Sequence, residues 1–126
     1  MKQILSEIKV LPVLEIERNV DPEKLVGALI DGEINTVEIT IRNEMGYKHI
    51  ERIRKRFPEI KVGVGTVLNI NQLLNSIDSG AQFAVSPGYE FELALKAKDL
   101  GIPYLPGVSC PSHIMSLLKI NINLFK

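Results

Sequence analysis

Glu38, Arg42, Thr66, Ser86, Pro87, Ser109 and Lys126 interrupt or close the apolar runs of this 126-residue chain. Where apolar runs are parallel strands, ligands gather at their carboxyl ends, so these are the first candidates for chemistry. A carboxylate, a guanidinium, an amine and hydroxyls are groups that bind a small anionic molecule and exchange protons with it. Glu38 lies inside Val37-Glu38-Ile39-Thr40-Ile41. There its carboxylate faces either the layer under the helices or the strand-end cavity, and neither is comfortable without a partner. An ion pair with Arg42 is one resolution, although four residues of strand separate the two backbones by roughly 13 Å. A functional role is the other. Gly63-Val64-Gly65-Thr66 places two glycines in a strand, which weakens it unless something must approach the backbone closely. It lacks the GxGxxG spacing of a dinucleotide site. Pro87-Gly88 and Pro106-Gly107 read as plain strand-to-helix turns.

The elements that must position these residues follow from the apolar pattern. Runs rich in Val and Ile at 10–16, 36–41, 61–67, 83–86, 102–108 and 122–125 predict six strands. Most are apolar on both alternations, as a parallel sheet covered by helices or a barrel interior demands. Five helices fall between them. The first spans 21–32, with Asp21 as cap, Pro22 at the first helical position, a stripe of Leu25, Val26, Leu29 and Ile30, and Gly32 as stop. The others cover 46–57, 71–79 and 91–100, and a last one begins near Cys110 with Pro111 at its first position. Strand-helix alternation at this spacing predicts an α/β fold with right-handed crossovers and a parallel sheet.

Composition bounds the function. Hydrophobic residues make up 45% and charged residues 24%, as in one ordinary globular domain. A complete eight-stranded barrel usually needs about 200 residues or more. Fifteen basic and fifteen acidic side chains leave no net field to gather nucleic acid or an anionic membrane. The basic stretch from Arg52 to Arg56 reads as the solvated face of a helix. The single cysteine, Cys110, forms no internal disulfide, and neither a leader nor a run of about 18 apolar residues is present. A cytoplasmic location is the expectation.

Five segments in register resemble one family. They are Val37-Glu38-Ile39-Thr40-Ile41-Arg42, Val62-Gly63-Val64-Gly65-Thr66-Val67, Gly80-Ala81-Gln82-Phe83-Ala84-Val85-Ser86-Pro87-Gly88, Pro106-Gly107-Val108-Ser109 and Leu124-Phe125-Lys126. Their order and spacing resemble 2-keto-3-deoxy-6-phosphogluconate (KDPG) and 4-hydroxy-2-oxoglutarate (KHG) aldolases over nearly the whole chain. The resemblance implies a class I aldolase on a (β/α)8 barrel, needing no metal or cofactor and assembling as a homotrimer. Residues 1–126 then form a single, incomplete barrel domain. The family's seventh and eighth strands, with their phosphate-holding glycine-rich loops, are expected beyond Lys126.

Carried over residue by residue, the resemblance makes Lys126 the Schiff-base lysine and Glu38 the acid/base carboxylate. It gives Arg42 the pyruvate carboxylate, Thr66 a pyruvate-contacting hydroxyl, and Pro87 a place in the pocket wall. The substrate class is a 2-keto-3-deoxy sugar acid phosphate or 4-hydroxy-2-oxoglutarate, cleaved to pyruvate and an aldehyde. An amine attacks a ketone only when unprotonated, and apolar neighbours favour that form. The chain departs from many relatives at Cys110, where they carry Thr, at His113, where they carry Glu, and from some at Glu15, where they carry Arg. Cys is a poor cap, which weakens the last helix start by up to about 1 kcal/mol, and His113 is expected at the surface. Two other functions fit the same residues. One is an inactive barrel fragment that folds by association through its open edges; the other is an α/β domain that binds a carboxylate ligand through Arg42 and Thr66 without covalent chemistry.

Overall fold

The computed structural model describes residues 1–6 and 8–126. In chain order the elements are α1 (Lys2–Ser6), β1 (Val13–Leu14), α2 (Pro22–Asp31), β2 (Thr36–Thr40), α3 (Met45–Arg56), β3 (Lys61–Gly65), α4 (Ile70–Asp78), β4 (Phe83–Val85), α5 (Phe91–Asp99), β5 (Tyr104–Leu105) and α6 (Pro111–Lys119). The five strands are all parallel and lie in the order β1-β2-β3-β4-β5. Each crossover thus steps to the adjacent strand in one direction. That is the progression of a barrel wall, not of a doubly wound sheet, whose strand order reverses at a switch point.

The expected helices form where local signals placed them. Asp21 caps α2 by accepting the Glu23 N–H at 3.1 Å, and Pro22 opens the helix. Asn69 caps α4 through the Gln72 N–H at 2.9 Å, which starts that helix one residue before the predicted boundary. Cys110 makes no side-chain capping bond to α6, as expected of that substitution.

The strands are shorter than the apolar runs that predicted them, and there are five instead of six. Prolines are the reason. Pro12 precedes β1 and Pro103 and Pro106 bracket β5; each can accept from a neighbouring strand, as Pro12 does from Glu38 and Pro103 from Ala84, but none can donate. Residues 122–125, predicted as a sixth strand, form none. Only Lys126 pairs, donating its N–H to Pro106 O at 3.0 Å and accepting from the Val108 N–H at 2.8 Å. These two bonds flank Gly107 as a parallel ladder would.

Helix α1 was not anticipated. Five residues are too few to show a helical period, and its apolar side chains Ile4 and Leu5, with Met1, find their partners in Phe83, Val85 and Leu105 on the inner face of the sheet. The main core lies on the opposite face. There Val37, Ile39, Val62, Val64 and Ala84 meet Val26, Ile50, Ile53, Leu73, Leu93 and Ala94 from the helices.

The basic stretch of α3 is only partly a solvated face. Arg52 pairs with Asp21 at 3.2 Å and Glu23 at 2.8 Å, tying α3 to the start of α2. Arg54 donates to Pro58 O and Ile60 O, both at 2.8 Å, and so fastens the loop that leads into β3. Beneath them His49 is buried, and its imidazole is pushed below the usual 6.5 first by burial and then by the charge of Arg52. The unfolded chain therefore binds this proton more readily than the folded one. His49 is expected to contribute its full stability above about pH 6.5 and to lose it as pH falls through the lower folded value. Thermal midpoints across pH 5 to 7.5 should show that slope, and His49→Gln should flatten it.

Candidate active site

The inner face of the sheet is read from strand register. Glu38 lies opposite Val13 on one side and Gly63 on the other, and Gly63 lies opposite Phe83. Partners in parallel strands point to the same face, so Val13, Glu38, Gly63 and Phe83 form one cross-strand row. Gly65 and Thr40 occupy the next row towards the carboxyl ends.

The two glycines explain themselves here. A methyl group built on Gly63 would overlap the Phe83 ring, and one built on Gly65 would overlap the Glu38 carboxylate. The glycines are thus the floor on which an aromatic ring and a carboxyl group rest. Glu38 itself is only 6% exposed. Burial raises its carboxyl above the ordinary 4.5, and the charge of Lys126 acts in the opposite direction. A carboxyl so placed exchanges its proton nearer neutrality than a solvated one.

Lys126 reaches this face through alternation. Leu124 packs with Phe83, Val85 and Leu105 on the inner side, whereas Phe125 packs with the main core behind the sheet. The next alternation turns Lys126 inward again, opposite Gly107. Its side chain is exposed, so the apolar enclosure expected for it is not supplied by these residues.

Arg42 follows β2 on the same alternation as Glu38 and Thr40, but it does not pair with Glu38. Its Nη1 donates to Glu15 Oε2 at 2.5 Å, across the mouth between β1 and β2. The ion pair between Glu38 and Arg42 weighed from sequence is therefore absent. Thr66, immediately after β3, has φ of 66°. A β-branched residue in the left-handed region is a strained outlier, and such strain concentrates at functional sites. Ser86 accepts from or donates to the Tyr104 hydroxyl at 2.5 Å and donates to Gly88 O at 2.9 Å, which fixes the turn carrying Pro87. Pro87 is exposed and lines a shallow cavity of about 290 Å³ with Val67, Leu68, Ser86, Tyr89 and Glu90.

Sequence reasoning did not single out Tyr104, because it sits inside an apolar run, nor the stacking of Tyr89 on His113 at 4.5 Å between ring centres. His113 is half-buried under that ring and not simply at the surface, with its Nδ1 3.4 Å from the Ser109 N–H. Ser109 therefore serves the helix start, not the face that holds Glu38. Among the described residues no three His, Cys, Asp or Glu side chains are grouped to hold a metal ion.

A family model described as "Aldolase: KDPG and KHG aldolase" matches residues 1–126, the entire chain. The chain belongs to the KDPG and KHG aldolase family. Curated relatives include the KHG/KDPG aldolase of Escherichia coli, 36% identical over 125 residues and 99% of this chain, and the 2-dehydro-3-deoxy-phosphogluconate aldolase of Treponema pallidum, 33% identical over 98% of it. In both cases the chain spans 59% of the relative's length. Among solved structures, the KDPG aldolase of Legionella pneumophila, with pyruvate captured as a covalent carbinolamine, superposes with a TM-score of 0.87 at 35% identity, covering 91% of this chain and 56% of that one. The Zymomonas mobilis enzyme with 3-phosphoglycerate gives 0.88 at 34% identity, over 94% and 56%. These KDPG aldolases are (β/α)8 barrels, so the five-stranded parallel wall seen here is part of such a barrel.

Proposed function

We propose that this chain carries the pyruvate-handling part of a class I aldolase. Its substrate is 2-dehydro-3-deoxy-6-phosphogluconate, 4-hydroxy-2-oxoglutarate or both, cleaved to pyruvate and glyceraldehyde 3-phosphate or glyoxylate. The observation that carries this reading is the buried Glu38 carboxyl, raised by burial, resting on Gly65 and feeling the charge of Lys126.

The chemistry assigned to each residue follows from its group. The Lys126 amine adds to the C2 ketone, and the carbinolamine loses water with a proton from the Glu38 carboxyl to leave an iminium. Breaking the C3–C4 bond sends its electron pair into the iminium while Glu38 carboxylate takes the C4 hydroxyl proton, and the aldehyde departs. The enamine regains a proton at C3, and water then releases pyruvate and the free amine. Arg42 binds the pyruvate carboxylate, Thr66 offers its hydroxyl to the same ligand, and Pro87 walls the pocket.

Residues 1–126 act in this proposal as one partial barrel domain, working without a cofactor, in the cytoplasm and in a homotrimer. Neutral net charge supports small-molecule partners over nucleic acid or membrane, and no helix among the described residues is long and apolar enough to cross a bilayer. The test is borohydride reduction in the presence of pyruvate. A reduced pyruvyl group on Lys126, found by peptide mass spectrometry, is the expected result. Pyruvate binding with no covalent adduct would favour the carboxylate-binding alternative instead.

A further inference from the structure

Arg42 is offered to a ligand's carboxylate in the reading above, and this inference rests on that assignment; yet in the structure the guanidinium is already engaged. Glu15 follows β1 and Arg42 follows β2, and the register that sets Val13 against Glu38 brings Glu15 level with Thr40, one alternation below Arg42. Glu15 Oε2 accepts from Arg42 Nη1 at 2.5 Å. The two residues are 27 apart in the chain, so the pair is made by the pairing of neighbouring strands, not by a shared helix turn. Both side chains are more than half exposed, 51% for Glu15 and 59% for Arg42, so a solute can reach them. A guanidinium holds a carboxylate best with two parallel N–H donors, and one of its nitrogens is donated to Glu15.

We propose that Glu15 is a specificity-determining residue: its carboxylate competes with the ligand's own carboxylate for Arg42, and its negative charge disfavours ligands with a second anionic group at the β1 end of the site. A ligand carboxylate binds by displacing Glu15 from Nη1 into solvent, where the freed carboxylate is well hydrated. The displacement costs little, because an exposed pair of this kind is worth at most a fivefold factor, roughly, in an equilibrium constant. A dianionic 2-oxo acid meets both the competition and the repulsion, so it is penalised more than pyruvate.

The test is titration calorimetry or ligand-observed NMR on the 126-residue chain, with pyruvate as the monoanion and 2-oxoglutarate as the dianion. Glu15→Gln is expected to tighten pyruvate by up to about fivefold and 2-oxoglutarate by a larger factor. The difference between wild type and variant should shrink as ionic strength rises, since exposed charges are screened within about 10 Å at 0.1 M salt; a purely structural role for Glu15 would show no such dependence. Arg42→Gln separates the two layers of the argument. If it leaves pyruvate affinity unchanged, the assignment of Arg42 as carboxylate ligand fails and the competition with it. If it weakens pyruvate while Glu15→Gln leaves both ligands unchanged or weaker, Arg42 stands and the proposal for Glu15 is overturned.

Discussion

Glu38→Gln is expected to slow formation of the borohydride-trapped pyruvate adduct by about 10²- to 10⁴-fold, the usual worth of a positioned general acid/base. Gln keeps the size of the side chain and its seat over Gly65 but gives up the exchangeable proton. The pH dependence carries the same information. Burial raises the Glu38 carboxyl above 4.5, against the pull of Lys126, so the wild-type rate should titrate with a carboxyl midpoint above 4.5 and the variant should lack that limb. Stability has its own sign. A folded carboxyl that holds its proton more tightly than the unfolded one contributes stability that is fully present below about pH 4.5, and that contribution is lost as pH rises through the folded value. Glu38→Gln should remove this dependence. A variant with wild-type rate and an unchanged pH profile would take Glu38 out of the mechanism.

Phe83→Ala is expected to cost about 3–5 kcal/mol, the range for deleting a fully buried aromatic ring, against a total stability on the order of 5–15 kcal/mol. Phe83 is 0% exposed, and its ring rests on Gly63 among Val85, Leu105 and the apolar side chains of Met1, Ile4, Leu5, Leu11 and Leu124. The site cannot refill easily, because Gly63 has no side chain to move into the space. Helix α1 depends on this ring too, since Ile4 and Leu5 have their apolar contacts there. Urea unfolding should show a lowered midpoint with a nearly unchanged slope. A loss below about 1 kcal/mol would mean that the inner face is not a packed core.

The parts of the fold that sequence reasoning reached are those with short-range causes. Helix α2 follows from Asp21, Pro22 and Gly32 within twelve residues, because capping and the 3.6-residue period are properties of neighbouring positions. Strand limits were less legible. The apolar run 102–108 yields only Tyr104–Leu105 as strand, since Pro103 and Pro106 have no N–H to donate. Helix α1 was not legible at all, because its cause lies in Phe83, Val85 and Leu105 some eighty to a hundred residues away.

The candidate site divides in the same way. The type and spacing of Glu38, Arg42, Thr66, Pro87 and Lys126 stood out in the one-dimensional chain, as did the oddity of two glycines in β3. That Glu38 rests on Gly65, that Thr66 sits at a positive φ, and that Arg42 pairs with Glu15 instead of Glu38 depended on the packed sheet. By itself the sequence determined the α/β alternation, the helices and the residues able to do chemistry, because periodicity, capping and side-chain type are local. Only the tertiary structure decided which charges meet, for strand register brings together groups whose separation along the chain says nothing of their separation in space.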